Sequence, residues 1–134
     1  MSAANVELVR SVYENFMKGD FPAALGVLAP DVEWIESDQE FLPHRGTHRG
    51  PEAVASGVFA KVPEHFSEFA VTPVTLHDAG DIAVVEGRVT GTTHTGRKLD
   101  APAAWVWTVR DGKVIRNMNY HDNDPWREAL LGTD

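Results

Sequence analysis

The stretch Ala101-Pro-Ala-Ala-Trp-Val-Trp-Thr-Val-Arg110-Asp111-Gly112-Lys113-Val-Ile-Arg-Asn-Met-Asn-Tyr-His121-Asp122 reads as two extended segments joined by a tight turn. Asp-Gly supplies the residues that tolerate positive φ in a hairpin connection. The first segment is rich in Val and Trp, as a half-buried strand is. In the second, Asn117, Asn119 and His121 fall at alternate positions and share one face of an extended chain. A polar ladder beside an apolar strand faces either water or a pocket, and that choice separates an enzyme or binding protein from a structural module.

Upstream, Phe66 to His77 and Ile82 to Thr93 are further strand-like runs, with Ala79-Gly80-Asp81 and Thr95-Gly96-Arg97 as turns. The four segments form antiparallel hairpins. Before them the pattern is helical. Val6, Val9, Val12, Tyr13, Phe16 and Met17 recur at spacings of three and four from Asn5 to Lys18, giving one buried stripe, and Gly19 closes the helix. Asp20 caps a short helix from Phe21 to Leu28, with Pro22 in its first turn. Val32 to Glu36 alternates as a strand with Trp34 and Glu36 on one side, and Ser37 to Gly50 reads as a loop. A helix opens at Gly50-Pro51-Glu52 and is limited by Pro63, and Asp124 to Leu131 forms a short tail helix. Helices first and a meander of strands afterwards predict an α+β domain in which helices cover one face of a curved sheet.

The chain has 134 residues, 43% of them hydrophobic, which fits one domain spanning 1–134. It has no cysteine, which excludes disulfides, thiolate nucleophiles and Cys-ligated metal centres. The net charge of -8, with scattered basic residues, opposes a nucleic-acid partner. The N-terminus lacks a basic segment followed by an apolar one, and no run approaches a membrane span of about 20 residues, so a cytoplasmic protein without membrane contact is expected. His44 and His48 are four apart, but Pro43 and Gly46 place them in a loop without a third ligand. Neither a metal nor another cofactor is expected.

Tyr13-x-x-Phe16-x-x-Gly19-Asp20, Leu28-x-Pro30-Asp31-Val32-x-Trp34, Gly46-x-x-x-Gly50 and Asp111-Gly112-Lys113-Val114 together resemble the nuclear transport factor 2-like superfamily, most closely its SnoaL-like and ketosteroid-isomerase-related members. The resemblance covers about residues 5 to 122. It implies a cone-shaped, cystatin-like α+β barrel in which N-terminal helices and a curved antiparallel sheet enclose one deep pocket, often in a homodimer. It also places Glu36 at the base of ketosteroid isomerase, whose oxyanion hole is a tyrosine and a protonated aspartate. The tyrosine falls on Val12 and the aspartate on Ala104, so both donors are absent. Asn119 stands nearest to the acid of SnoaL-type cyclases.

On this alignment Val12, Phe16, Trp34, His44, Ala104, Val106, Asn117, Asn119 and His121 contact a ligand, with Glu36 and His121 as the catalytic pair. A carboxylate at the end of an apolar strand is desolvated and becomes a stronger base, and an indole beside it adds to that effect. If Ala104 and Val106 line the pocket, Trp105 and Trp107 point outward, and two outward tryptophans predict a homodimer interface. The expected activity is a cofactor-independent isomerase, lyase or cyclase that moves a proton next to a carbonyl of a small molecule. The alternative is a non-catalytic binding protein for an apolar metabolite.

Overall fold

The computed structural model describes residues 2–132. Helix α1 (Ser2–Met17) buries Val9, Val12 and Tyr13 of the predicted stripe, with Val6 and Phe16 partly buried, while Met17 at its end is exposed. Gly19 follows at φ 78°, and the Asp20 side chain accepts from the Ala23 backbone N–H to cap α2 (Phe21–Leu25). The chain leaves that helix earlier than its composition suggests. Leu28 and Ala29 are already buried in strand β1 (Leu28–Glu36), while Pro30 and Asp31 bow outward at a register shift between Leu28 and Glu33.

The segment read as a loop contains a four-residue strand, β2 (Gly46–Arg49), antiparallel to β1. Its length is below what periodicity can reveal. The helix expected after Gly50 is three pieces: α3 (Pro51–Val54), a π-helical turn (Ala55–Phe59) and α4 (Lys61–His65). Pro63 lies inside α4 rather than limiting it. It sits in the first turn, where a missing N–H has no intrahelical acceptor to lose.

Four long strands follow, β3 (Phe66–Ala79), β4 (Ile82–Thr93), β5 (Lys98–Arg110) and β6 (Lys113–His121), and then α5 (Asn123–Leu131). They form one sheet in the order β2-β1-β6-β5-β4-β3, antiparallel except where β1 runs parallel to β6. Register shifts in β1, β3 and β6 bend the strands. The result is an open, curved six-stranded sheet with helices on its concave side, the cone that the sequence resemblance implies. No helix among the described residues is long and apolar enough to cross a membrane.

The facing of the inner surface is decided at the β5–β6 turn. Asp111 and Gly112 both have positive φ, 53° and 73°, and pair Arg110 with Lys113. An unbroken ladder from that pair would set Val106 opposite Asn117 and Ala104 opposite Asn119. Instead a bulge between Thr108 and Val109 shifts the register by one, and Trp107 pairs with Asn117 and Trp105 with Asn119. A one-residue slip turns every side chain to the other face. Trp105 and Trp107 therefore point into the concave face and are buried, at 6% and 1% exposure. Ala104 and Val106 lie on the outer face, so the expectation that they contact a ligand is corrected, and with it the interface built on outward tryptophans. Tyr120 shares that outer face and is 53% exposed.

Candidate functional site

The concave face encloses an apolar cavity rich in aromatic rings: Tyr13 and Phe16 from α1, Trp34 from β1, Phe59 from the π-turn, and Trp105 and Trp107 from β5. Their rings meet edge to face. Trp34 and Trp107 stand 5.5 Å apart at 90°, and Tyr13 lies 5.4 Å from Trp105 and 5.5 Å from Trp107. Such pairs add a little specific attraction beyond area burial and fix ring orientation. The Trp107 indole N–H donates to the Tyr13 hydroxyl at 2.9 Å, tying helix to sheet across the cavity wall.

Strand alternation carries Val32, Trp34 and Glu36 inward together. The Trp34 indole N–H donates to Glu36 Oε2 at 2.7 Å, and His44 Nε2 lies 3.8 Å from Glu36 Oε1. Burial is the larger influence on Glu36. It pushes the carboxyl up to about 8, against the smaller lowering by the Trp34 hydrogen bond. In neutral solution Glu36 rests as the uncharged acid. Burial also lowers His44, to about 4, helped by the charge of neighbouring histidines, and lowers His121. Both imidazoles are neutral at pH 7. Tyr13 is raised by burial and stays a phenol.

His44 owes its place to a small stack beneath it. His48 Nε2 donates to the His44 backbone oxygen at 2.9 Å, and the His48 ring lies on Gly57 of the π-turn. A Cβ at Gly57 would sit 2.5 Å from His48 Nδ1, so only glycine permits this approach. The two histidines thus do not converge on a common point. Among the described residues no three histidine or carboxylate side chains group as a metal site.

At the other side of the polar end, Trp126 of α5 lies between two imidazoles, 5.1 Å from His44 and 5.1 Å from His121. Sequence reasoning misses Trp126 as a site residue. Its signal is slight: one aromatic in a polar tail helix, whose burial depends on where the helix docks.

Of the expected ligand contacts, Val12, Phe16, Trp34, Glu36, His44, Asn119 and His121 line the cavity. Asn117 does not. It faces inward but is fully buried between its register partners Trp34 and Trp107. The Asn119 amide nitrogen donates to the Ile35 carbonyl at 3.0 Å, tying β6 to β1, and to Asn117 Oδ1 within β6.

This fold has counterparts among known proteins. The SnoaL-like domain model matches residues 9–117. The chain belongs to the SnoaL-like family. A nuclear transport factor 2-like protein of unknown function from Burkholderia pseudomallei is 27% identical, with a TM-score of 0.88, over 96% of this chain and 98% of that one. TerC, crystallised with polyporic acid, is 26% identical, with a TM-score of 0.87, over 95% and 98%. A Xanthomonas campestris protein provisionally named a polyketide cyclase is 25% identical, with a TM-score of 0.80, over 96% and 97%. Among curated proteins none matches the chain.

Proposed function

We propose that this SnoaL-like protein binds a small, flat, carbonyl-containing molecule and moves a proton at the carbon next to the carbonyl, with Glu36 as the base. The observation that carries this reading is a carboxyl raised to about 8 inside an aromatic cavity. A carboxylate of that basicity abstracts a carbon-bound proton far better than an ordinary one, and its pKa is close to the working pH. The aromatic walls suit a planar ring system. Support comes also from relatives, one crystallised with polyporic acid and one provisionally named a polyketide cyclase. No cofactor is needed for such a proton transfer.

The test uses 1-indanone, an enolisable ring ketone, in heavy water. Native protein should accelerate deuterium uptake at C2, with a rate that rises about tenfold per pH unit and levels above pH 8, because only the ionised carboxyl is the base. Glu36→Gln keeps the shape and an acceptor for Trp34 but not the base, so the rate should fall by roughly 10² or more. Binding of 1-indanone with no catalysed exchange at any pH would replace the enzyme by a non-catalytic binding protein.

The homodimer is proposed on a different surface from the tryptophans. Ile35, Met118, Val106 and Val84 are register partners across four adjacent strands and form an apolar row on the outer face. A second copy seated there would cover it. Sedimentation should give a dimer, and Val106→Arg should give a folded monomer; a native monomer at high concentration removes the proposal.

A further inference from the structure

Two buried polar atoms at the cavity's polar end have no hydrogen-bond partner among the described residues: Trp126 Nε1 and His121 Nε2. Both side chains line the cavity, Trp126 at 4% exposure, and their rings lie 5.1 Å apart at 35°. Buried polar atoms are nearly always paired, so two orphans side by side need a reason. Their chemistry is complementary rather than duplicate. An indole N–H only donates. His121 Nδ1 lies 3.4 Å from the Asp122 carbonyl oxygen, which can only accept, so Nδ1 holds the ring proton and Nε2 of the neutral imidazole is an acceptor. The neighbouring polar groups do not satisfy either atom: the Asn119 amide nitrogen is used by Ile35 and Asn117, and Glu36 Oε2 is used by Trp34.

We propose that Trp126 and His121 form a paired subsite for an acceptor oxygen and a hydroxyl on neighbouring carbons of one ligand. The ligand class is the α-hydroxy ketone, including its cyclic and aromatic-fused forms. The Trp126 N–H donates to the carbonyl oxygen and His121 Nε2 accepts from the adjacent hydroxyl. This rests on the pocket reading above and adds to it the arrangement of oxygens that the pocket selects. A donor on the carbonyl would also stabilise the enolate left when Glu36 takes the neighbouring proton.

The experiment measures affinities for three probes that differ by one oxygen each: indane, 1-indanone and 2-hydroxy-1-indanone. Native protein should bind them with affinity increasing about tenfold at each step, since each oxygen pairs an atom otherwise left unsatisfied. Trp126→Phe should remove the step from indane to 1-indanone and keep the next one. His121→Phe should do the reverse. Using ratios between probes cancels the packing lost in either variant. In native protein the Trp126 indole proton resonance should move downfield with either ketone and stay in place with indane, and this readout needs no variant to fold. If 1-indanone and indane bind native protein equally, or Trp126→Phe leaves their ratio unchanged, the subsite is wrong and the pocket stands. If no probe binds, the pocket reading fails and the subsite fails with it.

Discussion

Replacing Trp107 by glutamate is expected to unfold the protein. Trp107 is 1% exposed, meets Trp34 and Tyr13 edge to face at 5.5 Å each, and donates its indole proton to the Tyr13 hydroxyl. Truncating a buried tryptophan costs about 3–5 kcal/mol. The new carboxylate would lie among apolar rings, and burying an unpaired charge costs several kcal/mol more. A typical domain has about 5–15 kcal/mol in all. Near-ultraviolet circular dichroism should therefore show no fixed aromatic environment, and urea should give no cooperative transition. Trp107→Phe, which keeps most of the ring area and gives up the hydrogen bond to Tyr13, should fold with a lower urea midpoint. A folded, monomeric Trp107→Glu protein would mean that this side chain faces an interface between copies.

The facing of Trp107 also marks where sequence reasoning reaches its limit. Elements with a long, regular pattern are legible: the α1 stripe through Val9, Val12 and Tyr13, the four long strands, and Trp34 with Glu36 on one face of β1. Their periods are local and repeat often enough to be read. What escapes depends on single-residue events. The extra residue Ile115 in β6 sets Trp105 and Trp107, in place of Ala104 and Val106, opposite the inward asparagines, and neither tryptophan-rich composition nor the Asp111-Gly112 turn signals it. The polar ladder of β6 does face inward, but its first member, Asn117, is buried between Trp107, set opposite it by the β5–β6 register shift, and Trp34 of the parallel β1 pairing. Trp126 enters the site through docking of α5 against the sheet, a long-range contact without local signature. Glu36 is legible as a candidate because its environment follows from its own strand. Its neighbour His44 is legible as a ligand contact only through the family resemblance, since the stack on His48 and Gly57 that sets it is assembled from three separate elements and has no local signature.

Stability should peak near pH 6.5 and decline on the alkaline side, and Glu36→Gln should abolish that decline. The sign follows from proton counts. A carboxyl at about 8 in the folded protein and 4.5 in the unfolded chain binds more protons folded than unfolded throughout that interval. Its contribution to stability is full below the unfolded value and is lost as pH rises through the folded one. The histidines act oppositely. His44, lowered from 6.5 to about 4, and His121, also lowered, stay neutral in the fold while their unfolded counterparts take up protons, so they weaken the fold as pH falls below about 6.5. Between roughly pH 4.5 and 6.5 the carboxyl partly offsets the two imidazoles. Above 6.5 the carboxyl acts alone among these groups, at up to about 1.4 kcal/mol per pH unit, which gives a loss of roughly 2 kcal/mol by pH 8. Urea midpoints measured from about pH 5 to 9 should trace this dome in the native protein. In Glu36→Gln the alkaline limb should become flat while the acid limb steepens, because the histidines are no longer opposed. A native protein whose midpoint is level from about pH 6.5 to 8.5 would place the Glu36 titration in the ordinary carboxylate range. The cavity would then be wet at that position, and the case for Glu36 as a base would fall with its burial.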